Sequence, residues 1–114
     1  MHEMGIAEAA LRQVAAQAKE AGATHVHRIV LRIGTLSGVD PDALRFAMEI
    51  ALPESSAAGA TFEIEIIPAR ARCQKCSGEF TPENSFLFEC PHCHALGATI
   101  LQGKELDLAS LEIS

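Results

Sequence analysis

The four cysteines of this chain come as two pairs, CQKC at 73–76 and CPHC at 90–93, with thirteen residues between them. No other feature constrains the fold as tightly. A CxxC turn aims two sulfurs at one point, and two such knuckles complete a tetrahedron. Soft thiolates in that array select zinc, with an iron–sulfur centre as second choice. Cys73, Cys76, Cys90 and Cys93 would close the coordination shell, so the expected role is structural; a zinc hydrolase would need an open position. Gly78 and Pro91 fit the two turns. Binding there would contribute folding energy on the order of 10 kcal/mol. The surrounding segment needs it. Between about Ala69 and Ile100 there are few aliphatic residues, and stretches under ~40 residues seldom fold without a metal, disulfides or a partner.

Disulfides are the alternative use of four cysteines. The start, MHEMGIAEAALRQ, carries an early acid and lacks an uninterrupted apolar h-region. No apolar run approaches the ~20 residues of a membrane span. The reading is therefore a cytoplasmic chain, where thiols stay reduced and bind metal.

The flanking sequence is more regular. Residues 4–21 form an amphipathic pattern, with Met4, Ala7, Leu11, Val14 and Ala18 on one stripe and Gly22 as the stop. THVHRIVLRIG alternates as a half-buried strand, with His27, Ile29, Leu31 and Ile33 on one face and Arg28, Val30 and Arg32 on the other. A second helix follows, with Asp40 as N-cap and Pro41 as first helical residue. Leu44, Ala47, Met48 and Ala51 are its buried stripe, and Pro53 ends it. TFEIEIIP predicts a strand with Phe62, Ile64 and Ile66 inward. KELDLASLEI predicts a last strand, whose apolar parity shifts between Leu108 and Leu111 as a bulge near Ala109–Ser110 would require.

The expected fold is α+β: two helices packed on a three-stranded sheet, with an inserted zinc-ribbon-like domain of two CxxC knuckles. Residues 1–68 with 101–114 would form the first domain and 69–100 the second.

Charge narrows the function. Nine Lys+Arg against fifteen Asp+Glu give a net charge of -6, and the chain has neither Trp nor Tyr. Phosphate neutralisation needs clustered cations, so nucleic acid is disfavoured as a partner. No P-loop, GxSxG or dinucleotide fingerprint occurs. His25 and His27 lie two apart on a strand, but sharing a face with Ile29 and Leu31 favours ordinary packing. The spacing of His92 and His94 favours exposed knuckle residues over a substitute ligand or a second metal nearby. Glu63 and Glu65 read as a solvated face.

His2 would ordinarily be part of a frayed end. Its chemistry allows more. The Met1 amine, the His2 amide nitrogen and the His2 imidazole offer three nitrogens in one plane, which suits nickel(II) or copper(II). Glu3, or a side chain from elsewhere, would supply a fourth ligand.

MHEM at the start, VLRIGTLSGVDPDALRFAMEIA in the middle and ARARCQKC with CPHC later, in that order, resemble the HypA/HybF family of nickel chaperones for [NiFe] hydrogenase maturation. The resemblance runs over essentially the whole chain. It implies a nickel site at Met1, His2 and Glu3, with His2 the key ligand, and zinc at Cys73, Cys76, Cys90 and Cys93. It also implies a contribution to nickel coordination from Asp40, the acid of the family's SGV-acid-P segment. Histidine at 94 stands where glycine is more usual. The implied function is that of a metallochaperone, not an enzyme, passing nickel toward a hydrogenase large subunit with the GTPase HypB as partner. Some relatives serve urease maturation. The alternative is a zinc-ribbon adaptor that binds another protein without transferring nickel.

Overall fold

The structure is a computed structural model that describes residues 2–83 and 88–114. Helix α1 (Glu3–Glu20) leads into strand β1 (Val26–Gly34), helix α2 (Pro41–Ala51), a 3-10 turn (Leu52–Glu54) and β2 (Thr61–Ile67). Strands β3 (Arg70–Cys73), β4 (Glu79–Phe80), β5 (Ala98–Gln102) and β6 (Leu106–Ile113) complete the described elements. They form two three-stranded sheets, ordered β2-β1-β6 and β4-β3-β5.

The chain divides into two compact units. One takes in the residues up to Arg32, Val39–Glu65 and Asp107–Ser114; the other takes in Ile33–Gly38 and Ile66–Leu106.

In the first unit, α1 buries Ala7, Leu11, Val14 and Ala18, and α2 buries Leu44, Ala47 and Met48. Both stripes repeat at three- and four-residue steps, as the sequence pattern requires. The start of α2 is fixed locally. The Asp40 side chain accepts from the N–H groups of Asp42 and Ala43, and Pro41 opens the helix where its missing N–H costs nothing. Asp40→Ala should therefore destabilise the chain by about 1 kcal/mol in a denaturant titration, whereas Asp40→Asn should retain most of that stability.

The β1–β6 pair is antiparallel. Ser114 N–H donates to the His25 carbonyl at 3.0 Å, and at the other end Gly34 N–H donates to the Glu105 carbonyl at 2.8 Å. The half-buried positions of β6 are Leu108, Leu111 and Ile113, so its inward face changes parity where the apolar pattern does.

Three positions depart from strict alternation. Val30 is 7% exposed although it shares a parity with Arg28 and Arg32. β1 is the central strand, so its outward side chains are walled by those of β2 and β6. Arg28 pairs with Glu63 at 2.6 Å and Arg32 with Asp107 at 3.0 Å across that face. These pairs are exposed and contribute little individually. Ile66 is 46% exposed, and Ile67 is half-buried in its place, because the parity of β2 changes as the chain leaves the strand toward Pro68. His27 is exposed at the start of β1 and satisfies its ring with the Ser114 hydroxyl at 2.7 Å instead of packing inward.

The second unit is built on β3. It pairs antiparallel with β4, Ala71 opposite Phe80, and with β5, Cys73 opposite Ala98. Its core is small: Ala71, Cys73, Phe80 and Cys90 are buried, with Phe88, Cys93, Ala95, Ala98 and Ile100 packed against them. Two of the four residues buried in this cluster are cysteines, which leaves the cluster little aliphatic area to offset chain entropy. The chain turns from β5 to β6 at Gly103, which has φ 120°. A Cβ on Gly34 would come within 2.0 Å of the Gly103 carbonyl oxygen, so both positions demand glycine.

No helix among the described residues is long and apolar enough to cross a membrane.

Candidate metal centres

The two knuckles repeat one backbone design. In each, the first cysteine's carbonyl accepts from the N–H four residues on: Ser77 to Cys73 at 3.1 Å, and His94 to Cys90 at 2.9 Å. Its own N–H donates five residues on, Cys73 to the Gly78 carbonyl at 2.9 Å and Cys90 to the Ala95 carbonyl at 3.0 Å. The turn needs one left-handed residue, and the same place in each knuckle supplies it: Ser77 at φ 64° and His94 at φ 62°. Gly78 serves close packing, since a Cβ there would lie 3.3 Å from the Cys76 sulfur and 3.2 Å from the His92 ring.

The design brings four sulfurs together. Cys73 and Cys93 lie 3.6 Å apart, as do Cys76 and Cys90. All four sulfurs fall within 4.8 Å of one another. A zinc tetrathiolate with ~2.3 Å bonds has sulfur–sulfur edges of about 3.8 Å, so the donor set and its spacing fit zinc. Among the described residues no other group of three or more His, Cys, Asp or Glu side chains is gathered this closely.

Backbone N–H groups prepare the sulfurs for a cation. Lys75 and Cys76 donate to Cys73 Sγ at 3.3 and 3.4 Å, Gly78 donates to Cys76 Sγ at 3.4 Å, and His92 donates to Cys90 Sγ at 3.4 Å. The Cys76 and Lys75 N–H groups hold the Cys73 thiol down at about 6. Burial opposes ionisation of Cys90, but the N–H groups of Cys93 and His92 outweigh it and keep that thiol below its ordinary value. The Gly78 N–H favours a Cys76 thiolate, yet the neighbouring Cys90 sulfur, burial and the remaining thiols push it up to about 11. Backbone N–H groups thus favour the thiolate at the first cysteine of each knuckle, and a bound cation would draw off the remaining thiol protons.

His92 and His94 lie outside this set. Both are exposed, and His94 Nδ1 stands 4.0 Å from Glu89 Oε1. Residue 94 takes the left-handed backbone that the knuckle's turn requires, a conformation glycine adopts most easily. Sequence reasoning missed Ser77 and His94 as paired turn positions. The signal was their common place, four residues after the first cysteine of each pair.

The amino-terminal residues stand elsewhere. Met1 lies outside the described residues. His2 is exposed and occupies the N-cap of α1, with no side-chain cap hydrogen bond; its carbonyl accepts from Ile6 N–H at 3.2 Å. Glu3 is half-buried, and its Oε2 accepts from the Asp40 N–H at 3.2 Å. Asp40 Oδ1 accepts from Asp42 and Ala43 at 3.0 and 3.3 Å. The start of α1 is thus held against the start of α2, although the His2, Glu3 and Asp40 side chains do not converge as the four sulfurs do. The Glu3–Asp40 bond was not legible in the sequence, since nothing local links residues 37 positions apart.

Known proteins resemble this chain over nearly its whole length. The family described as "Hydrogenase/urease nickel incorporation, metallochaperone, hypA" matches residues 1–113. A hydrogenase maturation factor HypA of Chloroflexus aggregans is 42% identical over 112 residues, covering 98% of each chain. One from Picosynechococcus is 40% identical over 113 residues, covering 99% of each. The solution structure of the nickel metallochaperone HypA from Helicobacter pylori is 30% identical and superposes with a TM-score of 0.69, covering 99% of this chain and 97% of that one.

Proposed function

This chain belongs to the HypA family of nickel-incorporation metallochaperones, carriers rather than enzymes, and on that premise we propose that it binds one Ni(II) at its amino terminus and delivers it to the large subunit of a [NiFe] hydrogenase. His2 is the principal ligand, with the Met1 amine and Glu3, and Asp40 contributes at the margin. Cys73, Cys76, Cys90 and Cys93 hold a structural zinc. Residues 1–68 with 101–114 carry the nickel and 69–100 carry the zinc. The chain works in the cytoplasm, with the GTPase HypB as partner; the chemistry of the terminus suits delivery toward urease equally well.

The observation that carries this reading is the exposed His2 beside a Glu3 whose carboxylate is docked on the Asp40 N–H. It sets an open nitrogen ligand and two carboxylates at the adjoining starts of two helices. Such a site is shallow, as release of the metal requires. Selectivity follows from separating ligand types. Thiolates take zinc into the cage, and the N/O terminus is left for nickel, which affinity alone could not select over copper.

The test uses the amine. Zinc-loaded, untagged protein should bind one tight Ni(II) through its terminus in calorimetry, with NMR signals of residues 2–6 responding. Acetylating the Met1 amine should weaken that equivalent. Unchanged affinity after acetylation would remove the amine from the ligand set, and absence of a response at residues 2–6 would favour an adaptor without nickel.

A further inference from the structure

We propose that His25 and His27 form a second metal site on the first unit, independent of the amino-terminal one, that takes a divalent late transition ion such as Ni(II) with water completing its shell. The two imidazoles are exposed and nearly parallel, with ring centroids 6.2 Å apart and planes 12° from parallel. Residues two apart on an extended segment present their side chains to one face. A ring nitrogen bound at ~2.0–2.1 Å places two cis ligands about 3 Å apart, so modest rotation about the side-chain bonds brings one nitrogen of each ring onto a shared ion.

What distinguishes this pair from two surface histidines is that each ring already has a partner on its other nitrogen. The Thr24 hydroxyl lies 3.0 Å from His25 Nδ1, and the Ser114 hydroxyl lies 2.7 Å from His27 Nε2. When those oxygens accept, the protons sit on His25 Nδ1 and His27 Nε2. The lone pairs are then on His25 Nε2 and His27 Nδ1, on two side chains that are both exposed. A metal-bound histidine ordinarily has this arrangement, its second nitrogen donating to an oxygen that fixes tautomer and ring orientation. The backbone holds the frame: the Thr24 and His25 N–H groups donate to the Ser114 carbonyl at 2.9 and 3.0 Å, and Ser114 N–H returns a bond to the His25 carbonyl at 3.0 Å. Two neutral imidazoles suit nickel, copper or zinc; with no carboxylate in the set, magnesium and calcium are excluded.

The experiment is Ni(II) titration of the zinc-loaded His2→Ala protein by calorimetry and by NMR of the histidine rings. One saturable equivalent is expected, with the His25 and His27 ring signals responding and the signals of residues 3–6 unmoved. It should vanish in His2→Ala/His25→Ala and in His2→Ala/His27→Ala. His2→Ala/Ser114→Ala should weaken it about 10–100-fold, the cost of losing an outer hydrogen-bond partner, and Ser114→Thr should restore it. Absence of saturable binding in His2→Ala, or binding that survives loss of either imidazole, overturns the proposal. A response at residues 3–6 in His2→Ala would count instead against His2 as the terminal ligand, so the two readings fail separately.

Discussion

Cys73→Ala should cost the protein its zinc and melt the β4-β3-β5 sheet, while the helical circular-dichroism signal of α1 and α2 persists. The sulfur of Cys73 serves twice. It is a donor within 4.8 Å of the other three, and it is one of the four buried residues of the cluster around β3. Truncating it as a packing residue alone would remove one small apolar group, worth about 1–2 kcal/mol. Losing the metal removes on the order of 10 kcal/mol of folding energy. The metal term wins, so Cys76→Ala should be comparably damaging although Cys76 is exposed and contributes nothing to the core. Zinc-to-protein ratio and amide dispersion across residues 69–100 measure both effects. A Cys76→Ala chain that keeps stoichiometric zinc and a dispersed spectrum would end the structural-zinc reading.

His2→Ala should do the reverse: abolish tight nickel binding at the terminus with zinc content and thermal stability unchanged. The imidazole is exposed and makes no capping hydrogen bond, so its removal disturbs no packing. It would contribute a chelate ring, and losing an inner ligand should exceed the ~10–100-fold cost typical of outer-shell changes. The readout is the nickel response of residues 3–6. Retention of that response at unchanged affinity would mean that His2 is not the ligand. The pair of variants separates the two metals, since one removes zinc with structure and the other removes only the nickel held at the terminus.

The parts of this protein legible in its sequence are those set by near neighbours. Asp40 and Pro41 announce the start of α2 because capping acts over two or three residues. The CQKC and CPHC pairs announce a four-sulfur cluster because a knuckle is a local turn. The family resemblance read from MHEM, the middle segment and the knuckles is matched over residues 1–113. What escaped depends on assembly or on backbone. Val30 is buried because β1 is flanked on both sides, which alternation within one strand cannot reveal. His27 faces solvent because Ser114, 87 residues away, satisfies its ring. The N–H groups aimed at sulfur carry no residue-type signature at all.

The unequal burial of the four sulfurs has a kinetic consequence. Cys73 and Cys90, 1% and 0% exposed, sit in the core, whereas Cys76 is exposed and Cys93 half-exposed. An incoming chelator or competing ion therefore meets Cys76 and Cys93 before the two buried cysteines. Exchange should begin at these outer arms, while the two buried thiolates keep the ion until last. The cage thus has an outer and an inner pair of arms, and its turnover should be set by the outer pair rather than by the average strength of four equivalent bonds.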